Sequence, residues 1–96
     1  ERVLKARIMQ KQRFANEEIF TNAEMNNKMI EKYCPLSDQC REALEKIMSR
    51  MQLSMRALYR IIKGARTIAD LDGSDDIMAG HIIEAAGYRF LDRVQL

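Results

Sequence analysis

Tryptophan is missing from this 96-residue chain, proline and histidine occur once each, and glycine occurs four times. These scarcities exclude several classes of protein. No glycine-rich loop of the kind that cradles phosphates is present. The two cysteines, Cys34 and Cys40, are too few for a disulfide scaffold, and with His81 as the single histidine they cannot complete a four-ligand Cys/His zinc site. They read as reduced, partly buried thiols of a cytoplasmic protein. Aromatic residues are 6% of the chain, and beyond Tyr59 none is interleaved with the basic residues to stack nucleobases. No apolar run approaches the roughly 18 to 20 residues that cross a bilayer, and no secretory signal is visible. Neither a Ser/His/Asp set nor a carboxylate pair on one face is available, so no catalytic residue and no complete active site is expected.

A composition 47% apolar and 31% charged suits one globular domain with a modest core. The net charge of +2 is too small to imply a polyanionic partner. Its distribution is more telling, because Arg41, Arg50, Arg56, Arg60, Lys63 and Arg66 gather in the middle third. The chain starts at Glu1 rather than Met, which suggests a piece of something longer.

Helical periodicity dominates and β-alternation is absent, which predicts an all-α fold, a small bundle of about five helices. The first helix spans residues 2 to about 12, followed by a connector, FANEEIFTN, over 14–22. This is the weakest joint of the chain and predicts a first helix that docks loosely or belongs to a neighbouring domain. The second helix is expected over 23–33, capped by Asn22 and stopped before Pro35. Ser37 caps the third, which carries Cys40, Leu44, Ile47, Met48 and Met51 as a buried stripe. Ser54 caps the fourth, with Leu58, Ile61, Ile62, Ala65, Ile68 and Ala69 on one side and Gly73 as its stop. Arg66 and Asp70 fall on its flank as a weak i,i+4 pair. Ile77 anchors the acidic turn, and the fifth helix, 79 to about 91, buries Ile82, Ile83, Ala86 and Phe90. The methionines, Met25, Met29, Met48, Met51, Met55 and Met78, read as flexible core filler, and His81 as a packing or capping residue.

The segment 53–73, LSMRALYRIIKGARTIADLDG, carries the most function. Arg56 stands in the first turn of the fourth helix, where a cation opposes the helix dipole by a few tenths of a kcal/mol. The same place suits a bound phosphate, gripped by guanidinium forks from Arg56 and Arg60 and by the free N–H groups after Ser54. An ordinary solvated face is the alternative. Lys63, Arg66 and Arg50 extend the basic side toward a surface for DNA or for another domain.

Residues 53–93 resemble the C-terminal region of magnesium-chelatase-like AAA+ ATPases, in particular the ComM (YifB-like) group. There the pattern reads L-S-x-R-A-x-x-R-I-x-K-x-A-R-T-I-A-D-L-x-G-S, then H-I-x-E-A and Y-R-x-L-D-R. The upstream ERVLKARIMQKQR is similar to the helix that enters that region, so the resemblance covers nearly the whole chain. Met55 stands where relatives often have a small residue, and Ala79 where proline is frequent. The resemblance implies a helical lid over residues 23–96, with 1–22 leading from an ATPase core that lies upstream. It implies that Arg56 is a sensor-2 arginine reaching the γ-phosphate of ATP, and it matches Arg60 to the next family arginine. It further implies ATP and Mg2+ as cofactors of the full-length protein but none in this piece. A homo-hexameric ring that remodels DNA in recombination and competence, away from any membrane, also follows from it. Two rivals stand beside this reading: a free-standing nucleic-acid-binding module using Arg56, Arg60, Lys63 and Arg66, and a protein-interaction bundle.

Overall fold

A computed structural model of the chain describes the backbone of residues 2–95 and the side chains of residues 2–87. Five α-helices follow in order: α1 (Arg2–Arg13), α2 (Asn27–Tyr33), α3 (Asp38–Met51), α4 (Met55–Leu71) and α5 (Ala79–Gln95). A short 3-10 turn, Asn22–Glu24, precedes α2, and no strand occurs among the described residues. The helix α4 is the hub: it packs on α1, α2, α5 and the 3-10 turn, while α3 lies against α5. It can do so because its apolar side is continuous, with Ala57, Ile61, Ile62, Ala65 and Ala69 all buried. At Gly64 a Cβ would lie 3.4 Å from the Cβ of Ala85, so the bare backbone lets α5 approach closely.

The caps explain where the helices start and stop. The Oγ of Ser37 accepts the Cys40 N–H and that of Ser54 accepts the Ala57 N–H, each at 3.2 Å, as their positions predict. Gly73, at φ 72, closes α4: the Ser74 N–H reaches the Ala69 carbonyl at 2.8 Å and the Gly73 N–H that of Asp70 at 3.1 Å. The helix α3 ends differently, on Gln52 at φ 51, a left-handed conformation held by a side-chain-bearing residue.

The segment expected as one helix over 23–33 is broken. Thr21, not Asn22, caps the 3-10 turn, with the Glu24 carboxylate accepting its N–H at 3.2 Å. Asn26 then caps α2 by accepting the Met29 N–H at 2.9 Å. Two things break the helix: asparagine side chains compete for local backbone N–H groups, and Met25 turns extended to bury itself in the core.

The connector is not a loose joint. Phe14 is buried and meets the Tyr33 ring edge-on at 5.3 Å, and Arg13 binds Asp70 of α4 at 2.7 Å. At the other end of α1, Arg2 pairs with Asp72 at 2.9 Å. The expectation of a loosely docked first helix fails for this reason.

Other departures are local. Ile83 is 60% exposed, because Ile82, Ala85 and Ala86 occupy the face of α5 that meets the core. Met55 and Met78 are exposed and fill nothing, although Met25 is fully buried. Phe90 lies outside the described side chains. Both cysteines are free and buried. Burial pushes the Cys34 thiol up to about 11, against the pull of the nearby Arg66 and Arg13 guanidiniums. His81 caps α5: its Nδ1 accepts the Met78 N–H at 2.9 Å, while Nε2 lies 3.0 Å from the Asp72 carboxylate.

Candidate anion-binding groove

Because α4 buries one side against four other elements, its opposite side is left to solvent at the N-terminal end. Arg56 and Arg60 are exposed there, one turn apart. Neither has a hydrogen-bond or ion-pair partner among the described residues. Ser54 satisfies only the Ala57 N–H, which leaves the N–H groups of Met55 and Arg56 at the mouth of the helix. No acid lies in the first turn of α4 and no base in its last, so the charges at this end oppose the dipole.

Across from this face stands the beginning of α2. Between the two runs a groove of about 310 Å³ lined by Asn27, Met55, Arg56, Tyr59, Arg60 and Lys63. Lys63 donates from Nζ to the Ala23 carbonyl at 3.3 Å, which leaves the rest of its three N–H donors uncommitted. No carboxylate lines the groove. Three cations and an amide facing one hollow can hold an anion.

The structure therefore brings Arg56, Arg60 and Lys63 together and separates the other two basic residues from them. Arg50 is exposed in the last turn of α3, where it complements that helix's dipole, and does not line the groove. Arg66 is a correction. It is 2% exposed and donates to the carbonyls of Ser74 at 2.8 Å and Asp75 at 3.0 Å, with Asp70 at 3.2 Å. It cannot present itself to DNA, because it ties the α4–α5 turn to the core.

Its partner Asp70 centres a network that sequence reasoning missed. The fully buried carboxylate accepts two bonds from Arg13 at 2.7 and 2.9 Å, and one from Asn22 Nδ2 at 2.9 Å. Asn22 itself donates to Thr67 at 3.1 Å and accepts from Arg13 at 2.8 Å. One signal was available. Asp70 stands four residues after Arg66 on the flank of the apolar stripe, a spacing that pairs the two, while nothing local points to Arg13 or Asn22. Among the described residues no group of three or more metal-ligating side chains forms, and no helix is long and apolar enough to cross a membrane.

The family described as magnesium chelatase, subunit ChlI C-terminal, matches residues 1–89. The chain belongs to this family. Within the ChlI C-terminal family it is 44% identical over 94 residues to the competence protein ComM of Haemophilus influenzae, covering 98% of this chain and 18% of that protein. It is 41% identical over 73 residues to the uncharacterized protein YifB of Salmonella typhimurium, covering 76% of this chain and 14% of the relative. The same identity over the same length holds for YifB of Escherichia coli. This chain thus spans less than a fifth of these relatives. No solved structure matches it.

Proposed function

We propose that this ChlI C-terminal domain is the helical lid of an AAA+ ATPase, with Arg56 as its sensor-2 arginine and Arg60 as a second nucleotide contact. The observation that carries the reading is the pair of exposed guanidiniums on the first two turns of α4, without partners among the described residues, where a helix N-terminus adds to their attraction for phosphate. Residues 1–22 lead from the upstream core, and 23–96 form the lid. The core supplies ATP, Mg2+ and the groups that activate water; the fork of Arg56 fits a terminal phosphate. With the γ-phosphate in place Arg56 holds the lid to the core, and its loss releases the lid. Coupled around a homo-hexameric ring in the cytoplasm, that motion would act on DNA, as the resemblance to the competence group implies. Arg50 and Lys63 remain on the surface for DNA or interdomain contact, and the loss of Arg66 from that surface weakens the free-standing nucleic-acid module.

The test uses a longer protein that carries the upstream core. Arg56→Ala is expected to lower ATP turnover by about 100-fold, the scale of losing one preorganised charge contact, with helical content and melting temperature unchanged. Unaltered turnover would remove Arg56 from the mechanism, and a parallel drop in melting temperature would make it a structural residue.

A further inference from the structure

We infer that the outer face of α1 docks on the acidic start of α5 in a second copy of this chain. The side of α1 turned away from α4 carries Val3, Leu4 and Ile8, each about half exposed. At about 100° per residue, Leu4, Ile8 and Lys11 fall within about 60° of one another, while Ala6 and Arg13 point the opposite way, into the bundle. The stripe continues past the end of the helix into a hollow of about 460 Å³ lined by Lys11, Phe14 and Phe20, and Phe20 is 77% exposed. A contiguous apolar strip of this kind marks a contact surface, unlike apolar residues exposed singly.

The charge around the strip specifies its occupant. The helix α1, RVLKARIMQKQR, holds no acid, and its exposed Lys5, Arg7 and Lys11 have no ion pair among the described residues. The complementary surface is therefore apolar and acidic. The chain itself offers one, at the turn into α5. There the exposed carboxylates of Asp75 and Asp76 have no cation among the described residues, and the exposed Met78 and Ile83 follow them. Gly80 and Gly87 lie on the same side of α5 as Ile83, and a Cβ at either would meet nothing within 4 Å among the described residues. Glycine within a helix costs stability against alanine; here the bare backbone lets another helix come close to Ile83. The contact uses none of the cations at the start of α4 and goes beyond the nucleotide reading.

The experiment is sedimentation equilibrium of the 96-residue chain without nucleotide, at low salt and up to about 1 mM, a range that captures weak specific contacts. Self-association is expected, weakening as salt rises. Ile8→Ser and Ile83→Ser should each weaken it about tenfold, the loss of one buried aliphatic side chain. The decisive arm swaps charge. Arg7→Glu/Lys11→Glu and Asp75→Lys/Asp76→Lys should each be monomeric alone, because both faces then carry one sign, and should associate when mixed in equal amounts. All these residues are exposed, so helical content should stay at the wild-type level. Arg56→Ala should associate as the wild type does, which separates this inference from the nucleotide reading. A monomer at about 1 mM overturns the inference, and so does association that the swaps leave unchanged or that mixing fails to restore. Two other occupants are checked with Ile8→Cys, whose thiol stands out against two buried native cysteines. Its protection from a maleimide inside a monomeric longer protein would give the face to the upstream segment. Its protection by anionic phospholipid vesicles would give the face to a lipid surface. Either result overturns docking on a second copy.

Discussion

Asp70 shows how a single residue can hold this fold together. Its carboxylate is fully buried and receives charge from Arg13 of α1 and Arg66 of its own helix, with Asn22 from the 3-10 turn completing the set. Such a cluster adds little net stability over an apolar core, but removing one member leaves buried charge without compensation. Asp70→Ala is therefore expected to destabilise the domain by about 3–5 kcal/mol, measured as a fall in urea midpoint. A loss under about 1 kcal/mol, the scale of a surface pair, would show that Arg13 and Arg66 find water instead. Arg66 already carries an unsatisfied group, since its buried Nε has no partner among the described residues.

Two helix ends behave in opposite ways. At the C-terminus of α4 glycine takes the left-handed conformation without steric cost; at the end of α3 the same conformation falls on Gln52. A residue with a Cβ pays about 1–2 kcal/mol there, partly offset by the greater unfolded-state freedom of glycine. Gln52→Gly should thus stabilise the protein by about 0.5–1 kcal/mol, seen as a higher melting temperature; a lower one would mean that the Gln52 side chain makes a compensating contact. The N-terminus of α4 is costly in another sense. It carries two cations and no acid at its positive end, a pattern that self-stability disfavours and that anion binding would reward.

At the level of the whole molecule, residues before 23 belong to the bundle energetically. Phe14 lies in the core cluster, and Arg13 and Asn22 hold Asp70. A chain starting at residue 23 should lose on the order of 3–5 kcal/mol, because it gives up the buried Phe14 side chain as well as two of the partners of Asp70. At about 4–8 °C per kcal/mol for a domain of this size, the melting temperature should drop by more than about 10 °C. Cooperative melting within a few degrees of the full chain would show instead that 23–96 stands alone. The groove is a property of this scale as well, since one wall comes from α2 and the other from α4, separated by the whole of α3.

Much of this was legible beforehand. Periodicity marked α3 and α4, serines at 37 and 54 announced their caps, and Gly73 announced the stop, because these signals depend only on neighbours within a turn or two. The cations that line one face of α4 were equally readable. What required the tertiary structure were the partners. The 3.6-residue period places Arg66 on a flank, and only the α4–α5 turn folding back over it decides that it is buried rather than presented to DNA. The asparagines at 22 and 26 are both credible caps by local chemistry; the distant Asp70 claims the first and leaves capping to the second. Local backbone energetics is written within a few residues, whereas burial and charge pairing depend on which segments meet. Arg56 and Arg60 were visible as cations from the chain alone, and their freedom from any described partner is what the fold added.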